Sequence, residues 1–258
     1  MTTYWTLVKE VIHRADILLE VLDARLPEET RNPELEGKIK EIGKKIIFVM
    51  NKSDLASQDI MEKEKKRLQK ISPTVFVSSK LHQGTKMLRE EILKNVSKDQ
   101  IKVGVLGYPN VGKSSIINVL KGKKSAPTSS FSGYTKGLMD VRITSRIMLV
   151  DTPGVIPYME RDEFKHALIG TKNVQQIKDP ENVAIEMIEY LEKKGINVAK
   201  FYNSKKGKDE LGTLENISLS RKMLLKGGIA DTEKMAKIII KDWQEGKLKV
   251  EISKSASF

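Results

Sequence analysis

Gly107-Tyr108-Pro109-Asn110-Val111-Gly112-Lys113-Ser114 spells G-x-x-x-x-G-K-S. An apolar run, 102–106, precedes it and a helical pattern, 115–120, follows it. A phosphate cradle needs that context. The glycines let the backbone turn successive N–H groups toward phosphate oxygens, at the start of a helix whose dipole favours anions. Asn110, Val111, Gly112 and Ser115 would form the cradle, Lys113 would bring a positive charge to β- and γ-phosphates, and Ser114 would offer a hydroxyl to Mg²⁺. A second pattern, Asp151-Thr152-Pro153-Gly154, is D-x-x-G and begins 44 residues after Gly107, behind its own apolar run at 147–150. Asp151 would hold the magnesium hydration shell and the Gly154 N–H would meet the γ-phosphate. Between the two lies a Ser/Thr loop, 128–135. Thr135 is its leading candidate for a second hydroxyl ligand of Mg²⁺, with Thr128 and Ser132 as lesser ones; the plain alternative is an ordinary polar loop.

Asn51-Lys52-Ser53-Asp54 follows the apolar run 46–50 and reads N-K-x-D. A carboxylate at Asp54 accepts two hydrogens from the N1–H and N2–H₂ edge of guanine, which adenine lacks. A polar match of this type discriminates strongly, because the wrong base leaves groups unpaired. Asn51 would orient the loop and meet the base edge, and the stem of Lys52 would lie along the ring. Ser78-Ser79-Lys80, after the run 74–77, would add a backbone N–H to guanine O6. Three histidines, His13, His82 and His166, stand apart with no ligand spacing. Lys63, Lys65, Lys66 and Arg67 read first as a solvated helix face, Lys121, Lys123 and Lys124 as cations near a helix end, and Trp243 as a core anchor rather than a base-stacking platform.

The elements that must hold these loops alternate. Strands are predicted at 17–23, 46–50, 74–77, 102–107, 139–143 and 147–150, with helical stretches near 3–15, 33–43, 57–71, 83–95 and 113–121. That alternation implies an α/β fold, a mostly parallel sheet with helices on both faces and ligands at the carboxyl ends of its strands. After Pro157 the pattern becomes helical. Asp179-Pro180 opens one helix with Val183, Met187, Ile188 and Leu191 on one face and Gly195 at its end; Asp231 caps another with Met235, Ile238, Ile239 and Trp243 inward, ending at Gly246. The expected organisation is a nucleotide domain at 1–157 and a small helical domain at 158–258, with a basic loop at Lys205-Lys206-Gly207-Lys208.

The 258 residues carry 46 Lys and Arg against 34 Asp and Glu, a net charge of +12, of which +9 falls in residues 1–159. An excess of this size favours polyanionic partners, nucleic acid first, although a Lys-rich surface alone would give the same count. Cysteine is absent, which excludes disulfides, thiolate metal sites and cysteine nucleophiles. No apolar run approaches the roughly 18 residues of a membrane span, and the first fifteen residues show no signal-peptide core. The expectation is a cytoplasmic, monomeric protein without membrane contact.

The four nucleotide motifs are those of Ras-like GTPases, but their order is changed. Asn51–Asp54 and Ser78–Lys80 come before Gly107–Ser114, Thr135 and Asp151–Gly154, and each occurs once. The chain therefore resembles the circularly permuted ribosome-assembly GTPases of the YlqF/YawG family, in which the old last helix, here 83–95, leads into the old first strand. Asp23-Ala24-Arg25 matches that family's DAR signature, and the stretch from Lys226-Gly227-Gly228 to Leu248 resembles its C-terminal domain. The resemblance implies a permuted P-loop GTPase fold. It also implies GTP and GDP as ligands, Mg²⁺ as cofactor, Lys113, Thr135 and Gly154 at the reacting phosphate, and ribosomal RNA or a large ribosomal subunit precursor as partner. Val155 stands where Ras-like enzymes carry a water-orienting Gln, so hydrolysis would be slow without help from RNA or a particle. Asn110 resembles the K⁺ ligand of cation-dependent relatives; a simple turn-forming role is its alternative. Arg25 reads as a brace of the sheet end before a catalytic finger. Two readings follow: a GTP-hydrolysing assembly switch, and a nucleotide-gated RNA-binding module whose hydrolysis is incidental.

Overall fold

The computed structural model describes residues 4–122, 140–150 and 162–248. Contacts divide the chain into two compact units, Met1–Met159 and Glu160–Phe258.

The first unit is built on a six-stranded sheet. Strands β1 (Ile17–Asp23), β2 (Lys45–Asn51), β3 (Thr74–Phe76), β4 (Ile101–Leu106), β5 (Asp140–Arg142) and β6 (Ile147–Val150) lie in the order β3-β2-β1-β4-β6-β5. Every neighbouring pair is parallel except β5 with β6. The strand β1 is buried along its whole length, as expected of a central parallel strand covered on both faces. Its helices are α1 (Tyr4–Arg14), α2 (Pro27–Thr30), α3 (Pro33–Glu41), α4 (Gln58–Leu68), α5 (Thr85–Asn95) and α6 (Lys113–Lys121). The chain steps outward from β1 to β2 to β3, then returns across both to β4. Right-handed crossovers in opposite directions put their helices on opposite faces, α3 and α4 on one and α5 on the other.

The core follows from that arrangement. Val8, Val11 and Ile12 of α1 cluster with Leu35 and Ile39 of α3 on Leu18. Further along the strands, Leu22, Phe48 and Met50 meet Leu68 of α4. Gly104 in β4 lets α1 lie close: a Cβ there would sit 2.7 Å from Leu18 Cδ1 and 2.9 Å from Val11 Cγ1. Leu88 and Ile92 of α5 and Ile116 and Leu120 of α6 are buried as well. The parallel strands β1, β2, β3, β4 and β6 all end at the same side of the sheet. Asn51, the turn after Phe76 and the loop after Leu106 therefore emerge together although they lie far apart in the chain.

The described part of the second unit is helical, with one isolated bridge between Leu224 and Ala230. Its helices are α7 (Glu163–Ile169), α8 (Pro180–Lys193), α9 (Val198–Phe201), α10 (Glu210–Ser220) and α11 (Thr232–Gln244). Each starts on a side-chain cap, from Asp162, Asp179, Asn197, Asp209 and Asp231 in turn; these satisfy N–H groups that helix starts leave unpaired. Val183, Met187, Ile188 and Leu191 are buried as their spacing implies. In α11 the buried residues are Met235, Ala236, Ile239, Ile240 and Trp243. Ile238, expected inward, is only half-buried because the helix turns Ala236 and Ile240 to the core instead. Trp243 is a core anchor: its ring is buried and its Nε1–H donates to the Leu168 carbonyl at 2.8 Å. Among the described residues no helix is long and apolar enough to cross a membrane.

Candidate functional site

The phosphate loop leaves β4 at Gly107, whose φ of +137° brings its Cα close to β1; a Cβ there would lie 2.5 Å from the Val21 carbonyl. Asn110 is exposed with φ +60°, a left-handed conformation that Asn tolerates better than most residues, so the turn itself accounts for an Asn there. Gly112, with φ +97°, is the residue before α6. A Cβ on it would stand 2.1 Å from Asn51 Nδ2, so only glycine fits beneath the Asn51 amide. Lys113 folds back over the loop, donating to the carbonyls of Gly107 at 2.9 Å and Tyr108 at 2.6 Å. Among the described residues no carboxylate pairs with it, and burial pulls its ammonium down to about 8. A half-buried cation with no counter-anion among the described residues, at the N-terminus of a helix, has the chemistry of a phosphate site. Ser114 and Ser115 are exposed at the start of that helix.

Asn51 joins the two halves of the site. Its Nδ2 donates to the Val111 carbonyl at 2.9 Å, and its Oδ1 accepts from the Ser79 N–H at 3.2 Å. The side chain is buried and bridges the phosphate loop to the turn after β3. The loop-orienting part of the expectation is therefore seen, but both amide atoms are engaged with protein rather than turned to a base edge. Beside it, Ser78 Oγ–H donates to Asp54 Oδ1 at 2.6 Å and itself accepts from the Leu81 N–H at 3.1 Å. Ser78 thus aims the Asp54 carboxylate. Its own N–H is engaged by the Gln83 carbonyl and that of Ser79 by Asn51 Oδ1, so neither is free for the guanine O6 contact expected from the sequence. Close packing requires Gly84 just beyond, where a Cβ would lie 2.0 Å from the Phe76 carbonyl oxygen. Thr135, Asp151 and Gly154, with Thr128, Ser132 and Val155, lie outside the described residues.

A third cluster was not legible from the motifs. Asp23 ends β1 opposite Asn51 in register. It accepts from Arg25 Nε at 3.0 Å, from Arg25 Nη2 at 2.7 Å and from Lys52 Nζ at 2.8 Å. Burial alone would raise its carboxyl, but Arg25 and Lys52 outweigh that and hold it well below the usual carboxylate range. Arg25 is thereby a brace of the sheet end, as read from the sequence. Nearby, Glu20 is fully buried in β1. Its Oε1 accepts from the Asn32 N–H at 2.8 Å while its Oε2 has no partner among the described residues. Burial, reinforced by Glu36, pushes its carboxyl up to about 8.

The family described as "50S ribosome-binding GTPase" matches residues 102–212. A GTP-binding protein of Methanocaldococcus jannaschii is 44% identical over 257 residues, covering 96% of this chain and 67% of the relative. Nucleolar GTP-binding protein 2 of Yarrowia lipolytica is 33% identical, covering 95% of this chain and 49% of the relative, so the chain spans about half the length of this nucleolar relative. Among solved structures, GNP-bound YlqF from T. maritima shares the fold, with a TM-score of 0.68 at 24% identity over 94% of this chain and 93% of that one. With the N-K-x-D turn and the phosphate-loop motif meeting in reversed chain order, these likenesses place the protein in a family: it belongs to the circularly permuted P-loop GTPases of the YlqF/YawG type.

Proposed function

We propose that the protein binds and hydrolyses GTP as a switch in assembly of the large ribosomal subunit. One observation carries this reading: the Asn51 amide ties the N-K-x-D loop and the turn after β3 to the phosphate loop, at Val111 and beneath Gly112. Asp54, aimed by Ser78, would take the N1–H and N2–H₂ edge of guanine. Lys113 would leave the Gly107 and Tyr108 carbonyls for the β- and γ-phosphates, and the N–H groups of 110–115 would close around them. Mg²⁺, when bound, supplies charge neutralisation at those phosphates; Ser114, Thr135 and Asp151 are the residues that would hold it or its water shell. Phosphoryl transfer of this kind needs positioning and charge more than covalent help. Val155 offers no group to orient water, so intrinsic turnover is slow and rises on a ribosomal RNA partner, with K⁺ at Asn110 as a further activator.

The names of the matched family and of the nucleolar relative, together with the net charge of +12, support a ribosomal precursor as partner and a helical unit that engages RNA. Residues 151–157 follow β6 in the chain and lead to that unit. Ordering of this stretch by a γ-phosphate would bias the second unit and so couple nucleotide state to particle affinity. Calorimetry on the full chain with GDP, a non-hydrolysable GTP analogue and ADP tests the ligand. GDP should bind at least about a hundredfold more tightly than ADP, and equal affinities would overturn the reading. Co-sedimentation with large-subunit particles should be stronger with the analogue than with GDP; no difference would remove the switch. Turnover equal in K⁺ and Na⁺ would remove the K⁺ role.

A further inference from the structure

Asp23 is 3% exposed, yet it carries two cations. Arg25 already suffices to neutralise it, through a two-pronged contact from Nε and Nη2 and a further bond from the Arg25 main-chain N–H to Oδ1 at 3.0 Å. Lys52 is then surplus to neutralisation, and a buried charge network that exceeds its electrostatic need points to a role in fixing geometry. The other end of Lys52 is fixed as well. Its backbone is left-handed, with φ +60°, between Asn51 and the short helical turn that carries Asp54. Held at the Cα by the N-K-x-D turn and at Nζ by Asp23 at 2.8 Å, the four-carbon stem has little freedom left. A lysine free in solution would lose its rotamer entropy on binding a ligand, whereas one already pinned does not.

We propose that Asp23 is a positioning residue of the base site: by anchoring the Lys52 ammonium, it lays the Lys52 stem down as a preformed apolar platform for the purine ring. Arg25 completes the charge balance and keeps Asp23 ionised without needing Lys52. The DAR tripeptide at 23–25 thereby acquires a task in base binding. This inference rests on the guanine-nucleotide reading.

The test uses the full chain, with GDP and inorganic tripolyphosphate as probes in calorimetry. Lys52→Met keeps an apolar stem but removes the ammonium and leaves the Arg25–Asp23 pair intact. Asp23→Asn removes the anchor. Each should weaken GDP about tenfold while tripolyphosphate binding stays within about twofold, and the double variant should weaken GDP no further than either single one. Unchanged GDP affinity in both variants, equal losses for GDP and tripolyphosphate, or fully additive losses would each overturn the proposal. If Asp23→Asn does not fold, Lys52→Met against the two probes carries the test alone. A wild-type chain that fails to prefer GDP over ADP would defeat the guanine reading and this proposal together; a wild-type chain that prefers GDP while Lys52→Met changes nothing would defeat only the role of Asp23.

Discussion

In the sheet unit the buried polar side chains include Glu20, Asp23, Asn32, Asn51 and Ser78, and several of them reach across to other loops. In the helical unit the buried polar side chains among the described residues are Thr213 and Ser218, and each hydroxyl donates to a carbonyl four residues back in the chain. The difference separates two ways of building. Buried polar groups cost stability unless paired, so the sheet unit keeps them where they aim one loop at another. The helical unit relies on caps, apolar packing and a few bonds such as that of Trp243 Nε1–H to the Leu168 carbonyl and of the Tyr202 hydroxyl to Asp242.

Four variants separate the two units experimentally. Trp243→Ala empties the core of the helical unit and should destabilise it by about 3–5 kcal/mol, seen as an early transition in urea unfolding. GDP affinity should stay within about threefold, and a parallel loss of nucleotide binding would break the separation. Gly112→Ala places a Cβ against the Asn51 amide at a left-handed φ; GDP affinity should drop about a hundredfold in calorimetry, with the helical unit's transition unmoved. Ser78→Ala removes the hydroxyl that aims Asp54 and should weaken GDP about tenfold, while tripolyphosphate binding holds. Glu20→Gln acts on stability alone. A carboxyl raised from 4.5 to about 8 in the folded chain favours folding fully below 4.5 and loses that contribution as pH rises through about 8. The variant should match the wild type near pH 4 and exceed it by several kcal/mol, about 4 from the size of the shift, at pH 8, measured by urea unfolding at both pH values. An equal stability difference at both would show that Glu20 is not held neutral.

Much of this was legible before the structure because the signals are local. The run at 17–23 is a strand to the residue, since burial on both faces makes it apolar apart from Glu20 and Asp23. The cap at Asp179 with Pro180 behind it marks the start of α8 by its own chemistry. The site residues Asn51, Asp54, Gly112 and Lys113 announce themselves by spacing. What stayed hidden is non-local. Lys52 and Asp23 are 29 residues apart, and no spacing rule pairs them; only the register that sets Asp23 beside Asn51 does. The bond of Ser78 to Asp54 spans 24 residues and depends likewise on β3 lying next to β2. The four-residue helix α2 has too few turns to show a period, and its Thr30 is held by tertiary contact, accepting from the Asp23 N–H at 3.1 Å.

In the proposed function, loops met in reversed chain order enclose one guanine nucleotide and Asp54 reads the base. Titration of Asp54→Asn with GDP and with xanthosine diphosphate is the decisive measurement. The preference should invert, GDP weakening and xanthosine diphosphate tightening by about a hundredfold each, because the amide donates where the carboxylate accepted. An Asp54→Asn chain that still prefers GDP would show that Asp54 does not read the base.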